Sequence, residues 1–236
     1  MSDAVKASSR EPVAPLGLSA ELPDEPPLSL SERAYRVIRD RLVMLDIRPG
    51  APINEEQLGS SLGMGRTPVR EALKRLEHER LVVAYPRRGT FATEVNITDL
   101  AHISEVRQQL EPVAAGRAAR RATALERTAL ARLMDELNER ARSDAGADAL
   151  LRLDVRVHRA LYAASHNPYL EDTLVRYDNL ATRIWCLFAG RLPGMAGHVV
   201  EHGPLLSAVI DGDEDKAAAL AADHVAGFER EIRALL

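Results

Sequence analysis

EEQLGSSLGMGRTPVREALKRLEHERLVVAYPRRGTF, residues 55–91, reads as a helix, a tight turn, a second helix and a short hairpin. Gly63 and Gly65 bracket Met64, which suits the sharp connection of a helix-turn-helix. Thr67 is placed to cap the second helix through its hydroxyl, with Pro68 at the first helical position, where a missing N–H costs nothing. Val69, Ala72, Leu73 and Leu76 recur at i, i+3, i+4 and i+7, so one face of this helix is apolar. Arg66, Arg70 and Lys74 fall together on a flank of that stripe. Cations held clear of a core on a helix can reach phosphates and guanine edges in a major groove. Leu81-Val82-Val83 and Phe91-Ala92-Thr93 then pair as strands around Pro86-Arg87-Arg88-Gly89. The result is a winged helix with a basic wing tip.

A helix-turn-helix shape also occurs in domains that never meet DNA, so the detail matters. LGMGRTPVREALKRLEHERLV followed by PRRGTF resembles the DNA-binding domain of GntR-family transcription regulators, over roughly Ser29 to Val95. The resemblance implies operator contacts by Arg66, Thr67 and Arg70 at the start of the recognition helix. It also implies an approach to the minor groove by the wing glycine, Gly89, with Arg88 beside it. Two positions depart from the family pattern: Gly65 stands where a serine is usual, and Arg80 where a glycine is usual in the helix C-terminal turn.

Charge follows the same division. The chain of 236 residues has a formal net charge of −4, which looks wrong for a DNA binder until it is divided. Residues 1–28 hold two basic and five acidic side chains, residues 29–95 twelve and nine, and residues 96–236 seventeen and twenty-one. The positive excess lies on the winged helix, as phosphate neutralisation requires. It is small, so a homodimer with two heads on an inverted repeat of double-stranded DNA is expected. The single cysteine, Cys186, excludes an internal disulfide and a cysteine zinc site, and no apolar run approaches membrane-spanning length. A cytoplasmic protein with no membrane association is expected.

Outward from the winged helix, residues 1–28 hold five prolines and little periodicity, the composition of a disordered tail. Ser31 opens a supporting helix whose stripe is Ala34, Val37, Ile38, Leu42 and Leu45, ended by Arg48-Pro49-Gly50. Asn96-Ile97-Thr98-Asp99 is a hinge, with Thr98 a cap for the next helix. Residues 99–236 show no strand. Helices are expected over about 99–121, 125–142, 147–165, 168–190, 195–211 and 213–235. The fold class is mainly α: a winged helix-turn-helix over 29–95, then an antiparallel all-α bundle over 99–236.

The bundle carries unusual polar residues. Asp154 and His158 are spaced i, i+4 in the middle of an apolar face with Leu150, Leu151, Val157 and Leu161. His224 shares a face with Ala217, Leu220, Ala221 and Phe228, and His202 sits among Val199, Leu205, Leu206 and Val209. Unpaired burial of such groups is expensive. Each alone reads as a satisfied core residue, but three inward histidines and an aspartate suit a divalent metal, zinc first with nickel or manganese as alternatives. His198, i, i+4 from His202, is a competing ligand, and Gly203-Pro204 disfavours a continuous helix after His202.

EVRQQLEPVAAGRAA, DVRVHRALYAASHNPYL, EHGPLLSAVIDGDEDKAA and ADHV resemble the FCD domain of FadR-subfamily GntR regulators, over about residues 99–235. The resemblance implies a metal held by Asp154, His158, His202 and His224, and a small carboxylate effector gripped by Arg107. Asn167 and Arg183 are further effector candidates. These readings predict a transcription regulator, a repressor by expectation, controlled by a small carboxylate at a metal site, and not an enzyme. A metal-dependent enzyme fused to a DNA-binding head and a metal-free acyl-CoA sensor of the same subfamily are the alternatives.

Overall fold

A computed structural model describes residues 28–143, 146–188 and 195–235. The segment read as a tail therefore lies outside the described residues, apart from Leu28. So do Asp144-Ala145 and Leu192-Pro193-Gly194, where interhelix breaks are expected.

The head begins with α1 (Leu30–Val43), capped by the Ser29 hydroxyl, which accepts from the Glu32 N–H at 3.1 Å. Its buried stripe is Ala34, Tyr35, Ile38, Leu42 and Val43. Val37 is only half-buried, and Leu45 lies past the helix end at φ 58°. Asn54 caps α2 (Glu55–Leu62) through two N–H groups, and Gly63 ends it in the left-handed region at φ 64°. Close packing demands Gly59: a Cβ there would sit 2.8 Å from the Met64 carbonyl oxygen. The helix α3 (Arg66–His78) starts two residues earlier than Thr67 as a cap requires. Gly65, extended at φ −72°, is the cap residue, without a side-chain bond. Thr67 and Pro68 lie inside the first turn, where Pro68 still costs nothing because those N–H groups have no helical partner.

The wing pairs β2 (Val82–Tyr85) with β3 (Gly89–Ala92), in register Val82 to Ala92 and Tyr85 to Gly89. A third strand, β1 (Pro52–Ile53), adds to the other edge of β3, giving the order β1-β3-β2. Ala34, Ile38, Leu42, Val69, Leu73, Leu76, Leu81 and Val82 meet in one apolar core beneath the sheet.

A 3-10 turn (Ile97–Asp99) leads to the bundle. Asn96, rather than Thr98, is the capping side chain: its Oδ1 accepts from the Thr98 N–H at 3.2 Å. The helices are α4 (Leu100–Arg121), α5 (Ala124–Arg142), α6 (Ala147–Ala164), α7 (Pro168–Phe188), α8 (Met195–Val200), α9 (His202–Asp211) and α10 (Glu214–Arg233). Thr123 and Glu126 close a reciprocal capping box on α5. The expected helix over 195–211 is two helices meeting at Glu201. Pro204 has no N–H for the Val200 carbonyl and its ring crowds that oxygen, so α9 starts afresh with Pro204 in its first turn. Helices α10 and α7 pack on α4, α6 packs on α7, and α5 on α9. A buried core of mostly Leu, Val and Ala runs between them.

Head and bundle touch directly. The Arg159 Nη1 of α6 lies 3.2 Å from Asp40 Oδ1 of α1, and Arg183 of α7 donates to the Thr93 hydroxyl and carbonyl, both at 2.6 Å. Among the described residues, no helix is long and apolar enough to cross a membrane.

Candidate functional site

On the head, every expected DNA-contacting residue is exposed: Arg66, Thr67, Arg70 and Lys74 on α3, Arg88 and Gly89 on the wing. Burying Val69, Ala72, Leu73 and Leu76 turns the opposite side of α3 outward. Gly89 sits at φ 95°, and Arg87, also at the tip, at φ 62°. The guanidinium of Arg88 lies 5.6 Å from the Tyr85 ring centroid, which leans it along the wing. Two arginines are already engaged within the head. Arg66 pairs with Glu56 at 2.5 Å and Arg70 with Glu55 at 2.9 Å, both acids in the first turn of α2. Those acids favour the α2 N-terminus, so sequence reading sees helix stabilisers and misses their second partner.

In the bundle, Asp154, His158, His202 and His224 come together, each at most 4% exposed. His158 Nε2 lies 3.2 Å from His202 Nε2 and 3.2 Å from His224 Nε2. Asp154 Oδ1 lies 3.6 Å from His202 Nε2 and 4.0 Å from His158 Nε2, and that oxygen is buried without a hydrogen-bond partner. Zinc bonds of 2.0–2.1 Å to imidazole set ligand atoms ~3.4 Å apart at a tetrahedral centre. The spacing fits an ion with little adjustment.

The ring tautomers fit too. Tyr162 donates its hydroxyl proton to Glu111 Oε1 at 2.9 Å, so the tyrosine oxygen accepts from His158 Nδ1, 3.0 Å away. His202 Nδ1 lies 3.1 Å from the Val199 carbonyl oxygen, which can only accept. Protons held at Nδ1 leave the Nε2 lone pairs of both rings facing the centre. Burial drives the protonation in the same sense. It holds His158 and His224 well below the usual histidine range, and His202 at about 4. Burial, then the neighbouring Asp178, pushes the Asp154 carboxyl well above its usual range.

Arg107 reaches this pocket but is not free in it. Its Nε donates to Glu111 Oε1 at 2.5 Å, and its Nη2 lies 3.5 Å from Asp178 Oδ1. Burial lowers the Arg107 pKa, but Glu111, Tyr162 and Asp178 together outweigh it and hold the cation charged. Burial lifts Asp178 to about 6. The pocket thus gathers three buried carboxylates, Glu111, Asp154 and Asp178, around one guanidinium. A divalent cation would balance that set. The cavity beside the cluster is only about 10 Å³, the space of a single water.

Neither of the other two effector candidates lines this cavity. Asn167 starts α7, its Oδ1 accepting from the Leu170 N–H at 3.3 Å. Arg183 faces the head and lines a larger cavity of about 440 Å³ at the junction, with Arg80, Thr93, His102 and Tyr177. His198 is not one of the four clustered ligands; it joins Glu201 and the far side of His224. Glu111 and Asp178 are the residues that sequence reading passed over. Their signal is the i, i+4 spacing of Glu111 from Arg107, and of Asp178 from Thr182, on otherwise inward-facing positions.

Comparison with known proteins gives two matches to family models. Residues 30–92 match "Bacterial regulatory proteins, gntR family" and residues 102–227 match the FCD domain. The Nta operon transcriptional regulator of Aminobacter aminovorans is 32% identical over 187 residues, 78% of this chain and 85% of that protein. The galactonate operon transcriptional repressor of Escherichia coli K12 is 26% identical over 227 residues, covering 87% and 98%. Among solved structures, E. coli McbR/YncC superposes with a TM-score of 0.76 at 21% identity, over 89% of this chain and 99% of that one. A putative GntR regulator from Rhodococcus sp. RHA1 reaches 0.69 at 22% identity, over 89% and 100%. At those identities the structures speak for the fold alone.

Proposed function

Because the chain belongs to the gntR family and is a DNA-binding transcription regulator with an FCD domain, we propose that it is a repressor released by a small carboxylate bound at a metal centre. The observation that carries the reading is the convergence of three imidazole Nε2 atoms and an orphaned carboxylate oxygen in a buried pocket that also holds Arg107. Asp154, His158, His202 and His224 would hold the ion, with zinc the best match to the donor set. Bound there, the metal would supply positive charge, and an anion would join it by expanding the coordination beyond the four protein ligands.

Arg107 is the group on this chain that would fork onto the effector's carboxylate, exchanging Glu111 and Asp178 for it. A cavity of about 10 Å³ has no room for such a ligand, so its binding requires the pocket to enlarge. That requirement is what ties occupancy to shape. A ligand that favours an opened bundle shifts the head arrangement, and DNA must in return alter effector affinity by the same factor. On the head, Arg66, Thr67, Arg70, Lys74, Arg88 and Gly89 would contact the operator. A homodimer would set two recognition helices in successive major grooves of an inverted repeat. The repressor sense draws on the galactonate operon relative, a transcriptional repressor, and the relatives' roles as regulators favour sensing over hydrolysis at the same centre.

The test titrates protein into labelled DNA from the chain's own promoter region, with and without zinc and a panel of small carboxylates. Specific binding that weakens with one acid only in metal-loaded protein is expected. Binding that ignores every acid with metal present would sink the sensor half of the reading.

A further inference from the structure

Two ring nitrogens beside the four-residue cluster remain unused. His198 Nδ1 and His224 Nδ1 are both buried and neither has a hydrogen-bond partner. Both face one carboxylate oxygen, Glu201 Oε2, at 3.7 and 3.8 Å. Those distances exceed a hydrogen bond, so the carboxylate does not satisfy them. The two rings stack with centroids 4.3 Å apart and planes 30° from parallel, which puts their edges side by side. Histidines 198 and 224 are at most 4% exposed, whereas the Glu201 side chain is 53% exposed. Two orphaned imidazole nitrogens and an acid, all within 4.8 Å of one another, make a ligand set of the same chemistry as the inner one. Here one ligand lies open to solvent.

We propose that His198, Glu201 and the Nδ1 side of His224 form a second seat for a divalent cation, the port through which the ion reaches the buried centre. The proposal rests on the buried cluster being a metal site. A centre whose four ligands are at most 4% exposed needs an entry path, and this seat abuts it across a single ring. His224 belongs to both sets: Nε2 faces His158 at 3.2 Å and Nδ1 faces Glu201. A neutral imidazole offers one lone pair and carries its proton on the other nitrogen. An ion on Nδ1 therefore needs the proton on Nε2, and an ion at the inner centre needs it on Nδ1. The ring serves one seat at a time. Transfer inward moves that proton from Nε2 to Nδ1 with no net gain or loss, while the half-exposed Glu201 and water fill the outer coordination sphere.

The test uses Co²⁺ as a probe on the metal-stripped full chain, following its visible absorption. Wild type should bind one ion per chain. His158→Ala, which dismantles the inner set, should still bind one ion, more weakly, and His158→Ala with Glu201→Gln should bind none. Glu201→Gln alone should keep the inner ion but load at least about tenfold more slowly. Because Glu201 is half exposed, that variant carries little folding risk and stands as a measurement independent of His158→Ala. Co²⁺ binding by wild type but not by folded His158→Ala overturns the outer seat and leaves the inner one. Unchanged loading in Glu201→Gln overturns the port. No Co²⁺ bound by either wild type or His158→Ala removes the buried centre, and this proposal with it.

Discussion

Arg80 holds a backbone conformation that its side chain disfavours, with φ 62° at the end of the recognition helix. Its N–H bonds to the Glu77 carbonyl, and the following Leu81 N–H to that of Leu76, both at 3.0 Å. This is the pairing of a glycine-terminated helix, formed without the glycine. Leu76 and Leu81 are both fully buried, so the turn cannot relax without pulling one from the core. Arg80→Gly should therefore stabilise the head by about 1 kcal/mol, since relief of the left-handed strain exceeds glycine's extra chain entropy; a lower denaturant midpoint would count against this. The buried histidines set a second expectation, for metal-free protein. Burial leaves His202 at about 4 and His198 at about 3, against 6.5 for an ordinary histidine, and lowers His158 and His224 too. Between pH 6.5 and those values the unfolded chain takes up protons that the folded chain refuses, so folding loses stability as pH falls. Asp154 and Asp178, raised by burial, act in the opposite sense, Asp178 as pH falls through about 6. Four histidines outweigh two carboxylates. The melting temperature after EDTA treatment should fall steadily from pH 6.5 towards 4, and a flat profile would argue that these rings are not held neutral.

At the scale of the element, the recognition helix is restrained by its neighbour. Glu55 and Glu56 hold Arg70 and Arg66, and operator phosphates would have to displace them. Both pairs are exposed and weak individually, but the acids also repel the DNA backbone. Glu55→Gln with Glu56→Gln should tighten binding to random-sequence DNA several-fold and steepen its salt dependence, read by anisotropy across a salt series. An unchanged salt slope would mean that the arginines meet the DNA without leaving their acids. How much of each element was legible in the sequence follows from where its cause lies. The α3 stripe, the wing hairpin and the inward faces of α6, α9 and α10 are local periodicities, and so the metal-ligand candidates are legible in the sequence. The strand β1 is two residues whose only reason to be a strand is the far edge of β3, some forty residues away. Gly65 displaced Thr67 at the cap because the turn after Gly63 needs an extended residue there. Arg183 read as an effector ligand because it sits mid-helix, but a wheel shows only that a side chain is inward, and inward at that position is towards the head. Asp178 escaped for the same reason, since its partner Arg107 lies on α4, and a wheel pairs Glu111 with Arg107 on its own helix but not with Tyr162 on α6.

At the scale of the whole molecule, neighbouring residues of one helix face the two modules. On α6, His158 points into the Asp/His cluster, and Arg159, the next residue, points out to Asp40 on α1 at 3.2 Å and to Asn179 at 3.0 Å. On α7, Asp178 lines the inner pocket while Asn179 holds Arg159. A rotation or slide of α6 or α7 that makes room beside His158 must therefore move Arg159 against the base of the head. Rigid helices with packed, two-sided contacts are the physical means by which a small shift at one site reaches another. The test is to cut the link without emptying either end. Arg159→Met keeps the buried stem and removes the guanidinium, while Asp40 retains Arg39 at 3.0 Å, which limits the penalty of orphaning a buried carboxylate. Metal content and operator affinity without effector should stay near wild type. The effector's influence on operator affinity, of the order of 1–3 kcal/mol for typical coupled sites, should shrink to a few-fold or vanish. Should Arg159→Met respond to effector as wild type does, coupling runs elsewhere, and the Arg183 contact to Thr93 becomes the next link to break.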